Sequence, residues 1–132
     1  MTSFSLTKQS KLLKTDDYSS VFNLRKRISG QFLVFRYKLN QLQMPRLGLI
    51  VAKKTAKRAV NRNYMRRVLR EEFRLNQHVL PSVDLIIQVQ KTFVKPDFFT
   101  IEKEFAYLLR KLNNKISLEM VDVNIMHASA NQ

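Results

Sequence analysis

The stretch that decides the fold is RLGLIVAKKTAKRAVNRNYMRRVLREEFRLNQHVLPSVDLIIQVQK, residues 46–91. It opens with a short apolar run, continues through a long segment rich in arginine and lysine, and closes with a second apolar run after Pro81. Short apolar runs bounded by turn residues are typical of strands, and a long segment with apolar residues every three to four positions is typical of a helix. This stretch therefore predicts a strand, a basic helix and a second strand.

The basic segment, residues 53–74, carries nine lysines and arginines against Glu71 and Glu72. On a helical wheel its two sides differ in chemistry, although Phe73 falls on the basic side and Glu72 on the apolar side. Like charges four positions apart destabilise a helix by about 0.2–0.5 kcal/mol per pair, so the arrangement indicates an anionic partner. The predicted apolar side consists of Val60, Met65, Val68, Leu69 and Leu75, and the basic side of Arg62, Asn63, Arg66, Arg67, Arg70 and Arg74.

The chain before this stretch predicts one helix and two strands. Residues 15–22, TDDYSSVF, predict a helix start with Thr15 as its N-cap, followed by an apolar stripe. Residues 31–39, QFLVFRYKL, alternate in the manner of a strand, and a short strand is predicted before them at Arg27–Ser29.

After the stretch, apolar residues from Ile101 to Leu112 recur with helical spacing and predict a closing helix that starts at Thr100. Residues 114–132 are weakly patterned, and only a short element around Leu118–Ile125 is predicted there. The element order is therefore α-β-β-β-α-β-α. We predict a single α+β domain over residues 1–132, with the helices packed on one small mixed sheet.

Composition and charge narrow the class of protein. The chain has 132 residues, of which 45% are hydrophobic, and this suits one packed domain. It has no cysteine, no apolar run that could span a membrane and no secretion signal, so we expect a cytoplasmic protein without membrane contact. The net charge of +14 arises before residue 75, because residues 75–132 carry six basic and six acidic side chains. Such a localised basic surface favours a nucleic-acid partner.

Three interpretations of the basic segment compete. A solvated charged face usually alternates its signs, and a membrane-surface helix needs a bulky apolar face that is independent of a sheet. Phosphate binding accounts for the arginines best, because the planar guanidinium makes bidentate contacts with phosphate oxygens. A basic helix framed by two strands, rather than by other helices, favours RNA over the major groove of DNA.

The sequence offers no candidate catalytic or metal site. Its ten acidic residues are scattered, and His78 and His127 form no pair, so neither a two-metal centre nor a histidine acid–base pair is predicted. With only Gly30 and Gly48 there is no glycine-rich phosphate loop, and we expect no small-molecule substrate. The sequence therefore predicts a binding protein.

The segment GLIVAKKTAKRAVNRNYMRRVLREEFR, residues 48–74, resembles the signature of the bacterial ribonuclease P protein subunit. In that family a strand ends in Lys-Lys, and the helix that follows carries Arg-Asn-Arg-x-Lys-Arg-x-x-Arg-Glu. KLLKTDDYSSVF, QFLVFRY, the later segment LPSVDLII and the closing helix resemble the family as well. The resemblance therefore covers roughly residues 10–113 and leaves the tail 114–132 unmatched. The chain departs from the motif at Tyr64, where the family has arginine, and at Arg66, where it has lysine.

The resemblance implies a two-layer α-β sandwich in which the basic helix lies in a left-handed strand–helix–strand crossover. It also implies a protein that assembles with a catalytic RNA and assists removal of the 5′ leader from precursor tRNA. The hydrolysis would depend on Mg²⁺ held mainly by the RNA, and this chain would be the non-catalytic subunit of the endoribonuclease. A ribosomal or RNA-assembly protein that binds structured RNA without a processing role is the alternative.

The family's binding residues carry over to two regions of this chain. The basic helix and the residues before it would bind the catalytic RNA, whereas a cleft between the first helix and the sheet would receive the single-stranded leader. For each aromatic residue of the cleft, packing in the core is the alternative. The RNA-binding positions are Lys53, Lys54, Arg58, Arg62, Asn63, Arg66, Arg67 and Arg70, and the cleft positions are Tyr18, Phe22, Phe35 and Lys91.

Overall fold

The structure of the protein is a computed structural model that describes residues 13–130, with side chains described as far as Glu119. Its helices and strands follow one another in the predicted order, so the α+β class and the element order are confirmed. The elements are α1 (Thr15–Leu24), β1 (Arg27–Ser29), β2 (Leu33–Leu39), β3 (Arg46–Ile50), α2 (Ala59–Asn76), β4 (Val83–Val89) and α3 (Phe98–Ala130).

The strands form one mixed sheet in the spatial order β1-β2-β4-β3. β2 pairs antiparallel with β1 and β4, whereas β3 pairs parallel with β4, with Gly48 opposite Ile86. Neighbouring parallel strands need a crossover between them, and α2 forms it. The left-handed sense of this crossover stays a prediction from the resemblance. β3 lies at the edge of the sheet, so one side of its backbone is not paired with another strand.

The two faces of the sheet have different partners. Phe35 and Tyr37 of β2 point into the core beneath α2 and α3, where the ring of Phe35 meets that of Phe105 edge to face at a centroid distance of 5.3 Å. The alternate residues of β2 point to the other face, where Lys38 Nζ donates to Ser20 Oγ of α1 at 3.0 Å. Helix α1 thus adds a partial layer on the face opposite the core, beyond the two layers predicted.

Helix α1 is attached to the sheet through charged groups. Its N-cap is Lys14 rather than the predicted Thr15, and the Asp17 carboxylate accepts the N–H of Lys14 at 2.9 Å. Arg46 of β3 donates to Asp84 through two nitrogens, each at 2.8 Å, and lies 3.5 Å from Asp17. One guanidinium group therefore joins the first turn of α1 to two neighbouring strands.

Helix α2 is anchored by a row of apolar residues at four-residue intervals. Met65, Leu69 and Phe73 are fully buried, which confirms the prediction for the first two and places the third in the core. The predictions for Val60 and Leu75 are wrong, because their side chains are 64% and 43% exposed. The buried face is centred on that row, and both exposed residues lie near the helix ends, away from it.

Helix α3 is longer than predicted. It runs without a break to Ala130, so the prediction of weak structure from residue 114 onward is wrong for the described part of the tail. Buried apolar positions continue as far as Ile116, past the last residue of the predicted stripe. Of the single domain predicted over residues 1–132, residues 1–12 and 131–132 lie outside the described residues.

Glu72 is an acidic residue on the buried side of α2. Its side chain is only 5% exposed. Burial raises the pKa of Glu72, and the negative charges of Glu102 on α3 and of Glu71 raise it further. Ionisation of the Glu72 carboxyl group therefore destabilises the folded state.

Glu72→Gln should raise the free energy of unfolding at pH 7, because glutamine resembles the protonated carboxyl that the folded state favours. The pKa of Glu72 in the folded state lies above its unfolded value of about 4.3. The gain should therefore shrink as the pH falls through the folded pKa, and it should vanish below a pH of about 4. Urea denaturation of wild type and variant over this pH range measures the effect.

Glu71→Gln is the matched control, because it removes the same charge from the adjacent, exposed position. There, hydrogen bonding to Arg74 lowers the pKa of Glu71, so loss of this carboxylate should not stabilise the protein at pH 7. A gain for Glu72→Gln that persists in acid, or no gain at neutral pH, would contradict the assigned cause.

Candidate nucleic-acid interface

The basic side of α2 is turned away from the core. Met65 and Leu69 hold the opposite side against the sheet, so the guanidinium groups stay at the surface. Within the described part of the chain, neither Arg67 nor Arg70 takes part in an ion pair. The exposed members of the predicted RNA-binding set are Lys53, Lys54, Arg58, Asn63, Arg67 and Arg70, and the half-buried ones are Arg62 and Arg66.

Two arginines of the basic side have partners inside the chain. Arg62 Nη1 donates to the carbonyl oxygens of Ala56 and Lys57 at 2.9 and 2.8 Å, so Arg62 closes the loop that leads into α2. Arg74 pairs with Glu71 one helical turn earlier. The charge that remains available on α2 is therefore concentrated in the middle of the helix.

Three lysines meet at one end of the sheet. Lys53 and Lys54 lie exposed in the turn after β3, and Lys91 lies exposed just after β4. Because β3 and β4 are parallel neighbours, their C-terminal ends lie at the same end of the sheet. The hydroxyl of Thr92 donates to the carbonyl oxygen of Thr55 and ties the two segments together. This end of the sheet therefore extends the basic surface of α2.

Tyr18 lies in a narrow groove beside the free edge of β3, which we call the Tyr18 groove. Its hydroxyl accepts the N–H of Leu49 at 3.0 Å and lies 3.4 Å from the carbonyl oxygen of the same residue. The groove has a volume of about 180 Å³, and Arg66 and Arg70 of α2 also line it. Tyr18, a cleft position implied by the resemblance, and two arginines of the basic helix thus line one groove.

Gly48 makes room for Tyr18. A Cβ atom at this position would lie 2.8 Å from the Tyr18 ring and 3.1 Å from a methyl carbon of Leu13. On the same strand, the carbonyl oxygen of Leu47 accepts the N–H of Leu13 at 2.9 Å. Residues at the start of the described chain therefore cover the edge strand, which would otherwise be open to pairing with another strand.

Phe22, the second predicted cleft residue, lies one helical turn after Tyr18 and contacts an arginine. The guanidinium carbon of Arg36 is 4.6 Å from the centroid of the Phe22 ring, and Arg36 Nε donates to Gln88 Oε1 at 3.1 Å. Arg36 is absent from the predicted site residues, although the alternation in β2 assigns it to the more polar face. The face of the sheet opposite the core, which we call the outer face, therefore carries an aromatic ring and a cation side by side.

The prediction that Phe35 lines the cleft is wrong. Its side chain is fully buried and packs on Phe105 in the core. Successive residues of a strand point to opposite faces, so Phe35 and Arg36 cannot share one. Lys91 lies at the lysine-bearing end of the sheet, with its Nζ 4.9 Å from the centroid of the Phe32 ring, and it is not among the residues that line the Tyr18 groove.

The acidic side chains of the described residues do not converge on one site. Among them, no three histidine, aspartate or glutamate side chains are grouped so as to hold a metal ion. The buried Asp84 is occupied, because it accepts hydrogen bonds from Arg46 and from Asn40. Of the helices in this part of the chain, none is both long and apolar enough to cross a bilayer.

Fold and site together define a basic α+β protein in which Arg66 and Arg70 of one helix border a groove that holds an aromatic ring. A family model for ribonuclease P matches residues 6–113. The ribonuclease P protein component of Chromobacterium violaceum is 44% identical over 95 residues, which cover 72% of this chain and 78% of that protein. The corresponding protein of Azoarcus sp. is 38% identical over 102 residues, or 77% of this chain and 85% of that protein.

A solved structure agrees with these matches. The RNase P protein from Thermotoga maritima is 26% identical and superposes with a TM-score of 0.68, covering 78% of this chain and 97% of that one. The chain therefore belongs to the ribonuclease P protein family, as its resemblance predicted.

Tyr18→Phe should preserve the fold but remove the acceptor of the Leu49 N–H. Because a net hydrogen bond contributes about 1 kcal/mol, exchange of the Leu49 amide hydrogen should accelerate by about fivefold. Hydrogen exchange followed by NMR measures this rate. Tyr107→Phe alters an exposed tyrosine of α3 and should leave the exchange of Leu49 unchanged. Equal exchange in wild type and Tyr18→Phe would show that the ring does not hold the edge of β3.

Proposed function

We propose that this protein is the protein subunit of ribonuclease P, the endoribonuclease that matures the 5′ end of tRNA. In this role it binds the catalytic RNA and the single-stranded 5′ leader of precursor tRNA, and it assists RNA-catalysed removal of that leader in the cytoplasm. Family membership supports the assembly with RNA. The observation that carries the proposal is that Arg66 and Arg70 of α2 border the groove that holds Tyr18.

The exposed side of α2 suits the phosphate backbone of a folded RNA. From Arg58 to Arg70 it spans about 18 Å, since each helical residue adds about 1.5 Å. Arg67 and Arg70 have no acidic partner among the described residues, so phosphates can bind them without displacing an ion pair. Bound phosphates would also relieve the repulsion between the like charges of the helix.

The Tyr18 groove and the neighbouring outer face of the sheet suit a single strand. Aromatic rings stack on any base, which contributes about 1–3 kcal/mol per base without selecting a sequence. Tyr18 is held by the backbone of β3 and Phe22 by Arg36, so both rings are positioned before a strand binds. Arg36, beside Phe22, supplies positive charge for the backbone of that strand. Such tolerance suits a protein that accepts leaders of many sequences.

In this proposal Mg²⁺ and the reacting groups belong mainly to the RNA. The described residues contain no group of three carboxylate or histidine ligands, so they do not form a complete Mg²⁺ site by themselves. The side chains of the protein therefore position RNA, and we assign no step of the hydrolysis to them.

Reconstitution tests the proposed function. Precursor tRNA is incubated at low Mg²⁺ with the protein alone, with the RNase P RNA encoded by the same genome, and with both. We expect strong cleavage only in the combination, because the protein contributes binding and the RNA contributes the reacting groups. Release of the leader is measured on a denaturing gel.

Cleavage by the protein alone would contradict the assignment of catalysis to the RNA. No enhancement by the protein would favour the alternative, a ribosomal or RNA-assembly protein without a processing role. Binding of tRNA to the same reconstituted complex provides a second measurement. Tyr18→Leu should weaken binding of the leader-bearing tRNA and leave binding of a leaderless tRNA unchanged, since only the former has a strand to place in the groove.

Replacing Arg66 and Arg70 together by glutamine should weaken binding of the RNase P RNA and flatten its salt dependence. Each phosphate contact contributes about 0.7–0.9 to the slope of log K against log salt concentration, so losing two should reduce the slope by about 1.4–1.8. Titrations of the RNA at several KCl concentrations measure the slope.

Arg110→Gln combined with Lys111→Gln is the matched control. It removes the same charge from exposed positions on α3, away from the basic side of α2. This pair should change the slope much less. An equal reduction in both double variants would show that net charge, rather than its position on α2, governs RNA binding.

A further inference from the structure

A second groove lies on the other flank of α2 from the Tyr18 groove. It is open to solvent and has a volume of about 420 Å³, within the range of ligand-binding pockets. Its walls come from the first half of α2 and from the loop that follows β4. We call it the Tyr64 groove, and its main lining residues are Val60, Tyr64, Arg67, Val94, Lys95 and Pro96.

The two grooves use different stripes of the same helix. Val60, Tyr64 and Arg67 are spaced by four and three residues, so they share one stripe along α2. Arg66 and Arg70, which line the Tyr18 groove, belong to a second stripe. The two stripes lie on opposite flanks of the solvent-facing side of α2. Each flank of α2 therefore places an aromatic ring next to an arginine.

The ring of Tyr64 is positioned by the core. It meets the buried ring of Phe93 edge to face, with centroids 6.1 Å apart and an interplanar angle of 66°. The hydroxyl of Tyr64 has no hydrogen-bond partner among the residues that the structure describes. Val60 and Val94, which are 64% and 44% exposed, line the same groove. The groove thus presents apolar surface around an aromatic ring whose orientation is already set.

The charge of the groove identifies the kind of ligand. Arg67 and Lys95 give it two positive charges, and no acidic residue is among its lining residues. Neither of them forms an ion pair with a described residue. An apolar peptide would leave these charges unmatched, and a free phosphate would leave the ring and the valines unused. A nucleotide has both a flat apolar base and an anionic phosphate, and so it matches the groove.

We propose that the Tyr64 groove binds one unpaired nucleotide of the RNA partner, with the base against the ring of Tyr64 and the phosphate at Arg67 and Lys95. This inference rests on the proposed function, because it takes the RNase P RNA as the partner. The family motif has arginine at the position of Tyr64. This chain therefore has an aromatic ring in place of a guanidinium group at that point of the helix.

Equilibrium binding of the RNase P RNA encoded by the same genome tests the proposal on full-length protein at several KCl concentrations. Tyr64→Leu should bind about 5- to 160-fold more weakly than wild type, as expected for loss of one base–aromatic stack. Stacking releases no counterions, so the slope of log K against log salt concentration should not change. Tyr64→Phe keeps the ring and should bind within about twofold of wild type.

Tyr107→Leu is the matched control, because Tyr107 is an exposed tyrosine on α3 with a lysine near its ring. It should bind as wild type does. Lys95→Gln tests a groove residue outside α2, and it should reduce the slope of log K against log salt concentration by about 0.7–0.9. Lys103→Gln on α3 is its control and should leave that slope unchanged. Ultraviolet cross-linking of the wild-type complex, followed by mass spectrometry, should recover a peptide in which Tyr64 is joined to a nucleotide.

Wild-type affinity in Tyr64→Leu would overturn the proposal, as would an equal loss in Tyr107→Leu. If thermal melting shows that Tyr64→Leu does not fold, an unchanged slope in Lys95→Gln together with no cross-link at Tyr64 would overturn it. If wild type binds the RNA and promotes cleavage while Tyr64→Leu matches it, only the groove proposal fails. If wild type does not bind the RNase P RNA, the proposed function fails and the groove proposal with it.

Discussion

The burial of Met65, Leu69 and Phe73 against the sheet determines which way the basic helix faces. A helix with so many like charges gains little stability from its own sequence, so its tertiary packing has to supply it. The parallel strands β3 and β4 fix the two ends of the helix, and the apolar row fixes its rotation. Arg67 and Arg70 are then held at the surface without an acidic partner among the described residues, and each flank of the helix borders a different element of the fold.

Local spacing was sufficient to predict the order of the elements and most of the buried row of α2, because both depend on neighbouring residues. The errors at Val60 and Leu75 arose near the helix ends, since a helical wheel assumes that every turn faces the same neighbour. The length of α3 was underestimated for a related reason. Among the described side chains after Leu112, which extend to Glu119, only Ile116 is buried, so the apolar stripe by which a helix is predicted is short in this part of α3.

The candidate site could be predicted only in part. Alternation divides β2 into two faces, but nothing local reveals which face α1 covers, and the choice of Phe35 rather than Arg36 failed on that point. The meeting of Tyr18 with Arg66 depends on contacts between residues that are far apart in the sequence. The resemblance identified the family, whereas the Tyr64 groove needs the pairing of β3 with β4, which carries the loop after β4 to the flank of α2.

The lack of a side chain at Gly48 has an evolutionary consequence. The space that a side chain at position 48 would occupy is filled by Tyr18 of α1, so substitutions at the two positions depend on each other. A side chain at position 48 is tolerated only if residue 18 vacates that space, and a smaller residue 18 leaves the N–H of Leu49 without its acceptor. Selection therefore acts on the pair rather than on either residue alone. Lineages of this family that lose the glycine should also be those in which the aromatic residue has been exchanged.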